Sequence, residues 1–255
     1  MACIRSYDEL IQRISALRGT SLEVKTIGEF DARGRRYPLL TMHLGREAPG
    51  KTRVLLASGI HGDEPGGVEA ILRFVEEHSE SQNLLDRFSF MIFPCNNPTG
   101  YELDTRENWR GVDLNREFGA RSPEPEARIV MDALQGRCFD LVYEMHEDID
   151  APGFYLYEIA EDAAYHVGER ILTAVANMGY PVNLNDCIEG MPAKGGLIRR
   201  KSLKFRKTRV PQAIYIYRTC GGHVITMEPP ASILPLDDRV KILLTGLRIV
   251  LGDSA

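Results

Sequence analysis

His61-Gly62-Asp63-Glu64 stands directly behind the apolar run Val54 to Ile60, and His146 closes a second such run, Phe139 to Met145. Two imidazoles and a carboxylate delivered from strand ends can make a three-ligand zinc site with one position open, the arrangement that catalytic zinc uses. As a bare pattern, a His and a Glu three apart carry little weight. Their placement adds to it, because the carboxyl ends of buried strands are where open α/β sheets build sites. Gly59 and Gly62 flank His61 and permit backbone conformations, and a close approach by a ligand, that other residues would forbid. A further run, His223 to Met227, ends on Glu228.

The elements that must position these groups are legible in outline. Ser6-Tyr7-Asp8-Glu9 has the form of a capping box, followed by Leu10, Ile14 and Leu17 on one helical face and Gly19 as a stop. Strands are expected at about 22–29 and 37–44, then at 53–60. Pro65 suits the first turn of a helix that carries Val68, Ile71, Leu72 and Val75. Phe88 to Phe93 reads as a buried strand broken by the turn residues Asn96 to Gly100. A helix from Ser122-Pro123-Glu124 to near Gly136 leads into the strand before His146, and Phe154 to Ile159 looks extended. Ala164, Val167, Ile171, Val175 and Met178 form a helical stripe closed by Gly179; Val240, Leu243, Leu244, Leu247 and Leu251 form the last. Strands alternating with helices predict one α/β domain over 1–255, with a mixed, mostly parallel twisted sheet covered by helices on both faces.

Composition narrows the function classes. Among 255 residues there is no linker, repeat or low-complexity segment, and a net charge of −5 argues against a general nucleic-acid binder. No run is long enough for a bilayer span, and the amino terminus lacks a signal-peptide pattern. Cys3, Cys95, Cys138, Cys187 and Cys220 are odd in number and never in a CxxC pair, so a reducing cytoplasm is expected.

Between the two ligand segments lies TRENWRGVDLNREF, Thr105 to Phe118. It resembles the TRxNxxGVDLNRxF segment of the zinc metallocarboxypeptidase family, and the order HGDE, NPTG, GVDLNR, strand-terminal His, strand-terminal Glu is similar to that family across most of the chain. TMEPP around Glu228 resembles its compact bacterial branch, that of murein peptide amidases, which is related to succinylglutamate desuccinylase and aspartoacylase. The resemblance implies one zinc ion held by His61, Glu64 and His146, with Glu228 as the carboxylate that activates water. It also implies that Asn115 and Arg116 grip a terminal carboxylate and that Arg106 stabilises the oxyanion. The chemistry is coherent in itself: zinc brings the pKa of water to about 7, and a fixed guanidinium meets developing charge without reorganisation. The expected substrate is a small or unusual peptide, acidic or murein-derived, cleaved at its C-terminal residue. Alternatives are an N-acylamino-acid deacylase and a catalytically silent metal- or peptide-binding protein.

Other readings of the same residues stay open. Arg106 and Arg116 could be surface partners of Glu107 and Glu117, Asn115 could be turn chemistry, and Glu228 could merely end a strand. His43, His78, His166 and His223 have no ligand-like setting. Glu147-Asp148 after His146 departs from the family's small hydroxyl residues, so subsites there do not carry over. Tyr215 and Tyr217 are candidates for the tyrosine that serves as lid or acid in some members. The basic stretch Arg199-Arg200-Lys201 and Lys204 to Arg209 is either a solvated loop or a border of the cleft that favours an acidic ligand.

Overall fold

The computed structural model describes residues 4–199 and 208–252. Ten strands run in chain order as β1 (Leu22–Ala32), β2 (Arg35–Leu44), β3 (Thr52–Ser58), β4 (Phe88–Phe93), β5 (Leu141–Met145), β6 (Tyr155–Ile159), β7 (Cys187–Ile188), β8 (Met191–Pro192), β9 (Leu197–Arg199) and β10 (His223–Glu228). The helices are α1 (Tyr7–Ala16), α2 (Pro65–His78), α3 (Gln82–Arg87), α4 (Pro98–Leu103), α5 (Pro125–Leu134), α6 (Gly168–Asn177), α7 (Gln212–Cys220) and α8 (Leu236–Val250).

Eight strands form one sheet in the order β1-β2-β4-β3-β5-β10-β6-β9, while β7 and β8 pair separately. The pairings β3·β4, β3·β5, β5·β10 and β6·β9 are parallel; β1·β2, β2·β4 and β6·β10 are antiparallel. Residues of β3 and β4 alternate between two apolar clusters: Val54, Leu56, Phe90 and Ile92 face α1, α2, α6 and α8, whereas Leu55, Met91 and Phe93 face α5 and α7. Both sheet faces are thus covered, which explains why the central strands read as continuous apolar runs. This is the expected single α/β domain.

Several elements differ from the sequence reading. The β1–β2 hairpin runs past residue 29 to a two-residue turn at Arg33 and Gly34, both at positive φ; Phe30 stacks on Tyr37 at 5.6 Å and holds the exposed end together. Asn96 to Gly100 is the start of a short helix as well as a turn, because Asn97 accepts from the Gly100 amide as its N-cap. α6 begins at Gly168, and Ala164 lies in a separate single turn, Ala163–Tyr165. α3, α7 and β9 carry no strong local signal and are formed by packing.

Candidate active site

His61 and Glu64 sit on the short connection from β3 into α2. Gly59 takes φ +61 there. Gly62 serves a purpose other than ligand access: a Cβ on it would stand 1.9 Å from the carbonyl carbon of Gly100. The two backbones therefore pack directly, with the Gly62 amide donating to Thr105 O at 3.0 Å. α2 opens with Pro65-Gly66-Gly67 pressed on the end of β5, where the Gly66 amide donates to Glu147 at 2.9 Å and Arg239 of α8 donates to the same carboxylate at 2.7 Å. Glu147 is thus a buried tie between α2, α8 and the His146 loop. β5 and β3 are parallel neighbours, Ser58 opposite Met145, so both ligand segments leave the sheet side by side.

His61 Nδ1 lies 2.5 Å from one oxygen of Glu64 and His146 Nδ1 lies 2.9 Å from the other. All three are buried, and their donor atoms fall within 4.8 Å of one another. Burial alone would lower the His61 pKa, but Glu64 and Asp113 outweigh it and hold the imidazole at about 9. Burial would raise Glu64; the two imidazoles bring it down to about 2. The carboxylate thus sits between two imidazole nitrogens, and His61 Nε2 is buried without a hydrogen-bond partner of good geometry. Two imidazoles and one carboxylate are a borderline donor set suited to zinc, so the residues fit one such ion.

Asp113, which the sequence reading passed over, joins the cluster to its neighbours. Its Oδ1 is 3.4 Å from His61 Nε2 and accepts from the Asn115 amide at 2.9 Å. Its Oδ2 accepts from Arg106 Nε and Nη2 at 3.3 and 3.2 Å. Arg106 Nη1 reaches 3.3 Å from His61 Nδ1 and 3.8 Å from Glu64. Arg106 therefore pairs with Asp113, not Glu107, and the partner of Glu117 is Arg209. Asn115 is buried, and its Oδ1 accepts from the Gln212 amide at 2.7 Å, which leaves Nδ2 as the group it can offer a ligand. Arg116 is exposed beside it.

His61, Glu64, His146, Arg106, Asn115 and Arg116 line one cleft of about 700 Å³, which also takes in Glu228, Glu144, Tyr155 and Tyr157. Burial pushes the Glu228 carboxyl well above its ordinary range, against the pull of His146. Tyr155 lies opposite Glu228 across β6·β10 and donates to Asp148 at 2.9 Å. Tyr215 and Tyr217 do not line the cleft; they sit on α7, with Tyr215 against Phe118 and Tyr217 3.5 Å from Glu161. Glu144 is 2 % exposed, and neither of its oxygens has a hydrogen-bond partner. The period-two alternation that puts it on the same strand face as His146 is the sequence signal that could have found it. His223 is structural, 3.0 Å from Glu158. Of the basic stretch, Arg199 pairs with Glu158 and Glu169, while residues 200–207 lie outside the described residues.

The family model for zinc carboxypeptidases matches residues 7–148. Carboxypeptidase E of Caenorhabditis elegans is 33% identical over 120 residues, covering 38% of this chain and 25% of that protein. The chain thus spans about a quarter of the length of that relative. Among solved structures, a candidate metallopeptidase from Shewanella baltica superposes with a TM-score of 0.79 at 22% identity, over 96% of this chain and 90% of that one. A metallo-carboxypeptidase from Burkholderia cenocepacia gives 0.69 at 17% identity, over 96% and 67%. At such identities the likeness establishes the fold.

Proposed function

The chain belongs to the zinc carboxypeptidase family, and from that premise we propose that residues 1–255 form one catalytic domain that hydrolyses the C-terminal amide of a small peptide. The carrying observation is the convergence of His61, Glu64 and His146 in the cleft that also receives Glu228, Arg106, Asn115 and Arg116. In this reading His61, Glu64 and His146 hold one zinc ion, which when bound supplies Lewis acidity toward the carbonyl and toward water.

The remaining work falls to side chains. Glu228 takes the proton of the attacking water and passes it to the leaving nitrogen, a role worth ~10²–10⁴ in rate. Arg106, already fixed by Asp113, meets the negative charge that develops on the carbonyl oxygen and needs no reorganisation to do so. Arg116 and the Nδ2 of Asn115 offer fork-shaped donors to the planar terminal carboxylate. The cytoplasm is the compartment proposed. In support, Cys95, Cys138, Cys187 and Cys220 are free thiols, and no helix among the described residues is long and apolar enough to cross a membrane.

Metal analysis and a panel of short peptides, murein-derived fragments and N-acylamino acids test this reading. Glu228→Gln is expected to keep its zinc and lose ~10²–10⁴-fold in kcat; full hydrolysis with full metal overturns the assigned base. Turnover of acylated aspartate, glutamate or succinylglutamate, with peptides untouched, would replace the peptidase by a deacylase. Zinc binding with no turnover at all would leave a silent binding protein.

A further inference from the structure

We propose that Asp148, through its hydrogen bond with Tyr155, is a positioning residue that sets where Glu228 stands relative to His146. The inference rests on the reading of Glu228 as the base and adds the residue that aims it. Glu147-Asp148 is where the chain departs from the pattern it resembles, so neither residue inherits a role from it. Glu228 is the last residue of β10, and Pro229 and Pro230 follow it. Prolines have no amide hydrogen, so the segment past Glu228 offers no donor to a neighbouring strand before Ala231. Asp148 supplies what holds that segment. Its amide donates to Pro229 O at 3.0 Å and its carbonyl accepts from the Ala231 amide at 2.8 Å, an extension of the parallel β5·β10 pairing past the ends of both strands. Upstream, the His146 amide donates to Met227 O at 3.0 Å. Glu228 is therefore slung between two backbone attachments, one made by His146 and the other by Asp148.

The Asp148 side chain closes the frame on the opposite flank. Tyr155 is the register partner of Glu228 across β6·β10, and its phenol donates to Asp148 Oδ2 at 2.9 Å. Tyr155 is 2 % exposed, and a buried hydroxyl needs such a partner. The other carboxylate oxygen of Asp148 accepts from the Asp150 amide at 2.8 Å, which fixes the plane of the group. One residue earlier, Glu147 is anchored toward the helices by the Gly66 amide and Arg239. Asp148 thus joins the continuation of β5, to which it belongs, to β10 through its backbone and to β6 through its carboxylate. Glu228 lies inside that ring of bonds. A displacement of about 1 Å at a reacting group is enough to cost ~10² in rate, so a link this close to the base is legible in kcat.

The test compares the zinc-loaded full chain with its D148A, D148N, Y155F and D148A/Y155F variants by kinetics on short peptides, zinc-buffered titration and crystal structures. D148A and Y155F are each expected to lose about 10²-fold in kcat, with KM and zinc affinity within a few fold of wild type. The double variant should lose no more than either single one, because both remove the same bond. D148N should recover most of the loss, since its amide still bonds a hydroxyl, which accepts as well as donates. In the crystal structures Glu228 should shift relative to His146 in D148A and Y155F and return in D148N. Additive losses, a loss in only one of the single variants, or a rise in KM confined to Y155F overturns the proposal; the last would make Tyr155 a substrate contact. D148N as impaired as D148A also overturns it and assigns the effect to charge, and a parallel fall in zinc affinity assigns it to the metal site. If wild type cleaves no peptide, or E228Q stays fully active, the reading of Glu228 fails, while the crystal structures still decide whether Asp148 fixes its place. If D148A does not fold, Y155F, which keeps every charge and both backbone attachments, decides the matter.

Discussion

Asp113 holds the candidate site together through a single side chain: one oxygen faces the imidazole of the proposed ligand His61 and the other holds the guanidinium of Arg106. A carboxylate behind a ligand histidine fixes its orientation and basicity. Asp113→Ala is therefore expected to weaken zinc binding by about 10- to 100-fold and to lower kcat beyond the metal loss, measured with zinc-buffered titrations and kinetics at saturating metal. The candidate ligands His61 and His146 were legible because each follows an apolar run that ends abruptly. Asp113 was not, although it stands inside GVDLNR, because the family pattern drew attention to Asn115 and Arg116 beside it. Glu144 was hidden in a run read only for its apolar character. Tyr215 and Tyr217 show the converse error: residue type suggested a role, but type does not tell which way a helix face points.

At the scale of elements, the seating of His61 depends on the β3–α2 connection lying flat against the start of α4. The contact between Gly62 and Gly100 leaves no room for a methyl group, and the obstacle is backbone. Gly62→Ala is expected to cost about 1–3 kcal/mol in urea unfolding and to lower zinc affinity with it, since relief requires moving the segment that bears the proposed ligands His61 and Glu64. A variant with unchanged stability and metal binding would show that the contact gives way easily. Long, strongly patterned elements such as α2, α8 and β4 could be read from sequence because their burial is regular. α7 could not: Ile214-Tyr215-Ile216-Tyr217 has the β-branched and aromatic character of a strand. Its helix is set by tertiary packing, with Ile214 and Ile216 buried among Phe118, Val130 and Val224.

Across the whole molecule, Glu158 links four elements, joining β6 to Arg199 of β9, His223 of β10 and the amides of Val167 and Gly168 at the head of α6. Burial would raise its pKa, but His223, the Val167 amide and Arg199 together bring it from 4.5 to about 2. A carboxyl held lower in the folded state contributes stability that is complete above its unfolded pKa and disappears as pH falls through the folded one. Wild type should therefore lose on the order of 2–3 kcal/mol relative to Glu158→Gln between about pH 5 and pH 2. Thermal melts of both proteins across that window check it; parallel curves would mean that the network carries no pH-linked stability.

The strand order has one more consequence. β10, from the last quarter of the chain, is inserted between β5 and β6, so the middle of the sheet is completed by the residues synthesised late. A polypeptide severed before His223 would still carry His61, Glu64 and His146, yet it would lack Glu228 and expose a bare row of amides and carbonyls along β5, where another copy could pair. If Glu228 is the base proposed above, such a truncation product is expected to bind an ion and adhere to itself without hydrolysing peptide, which would separate the metal motif from a working enzyme.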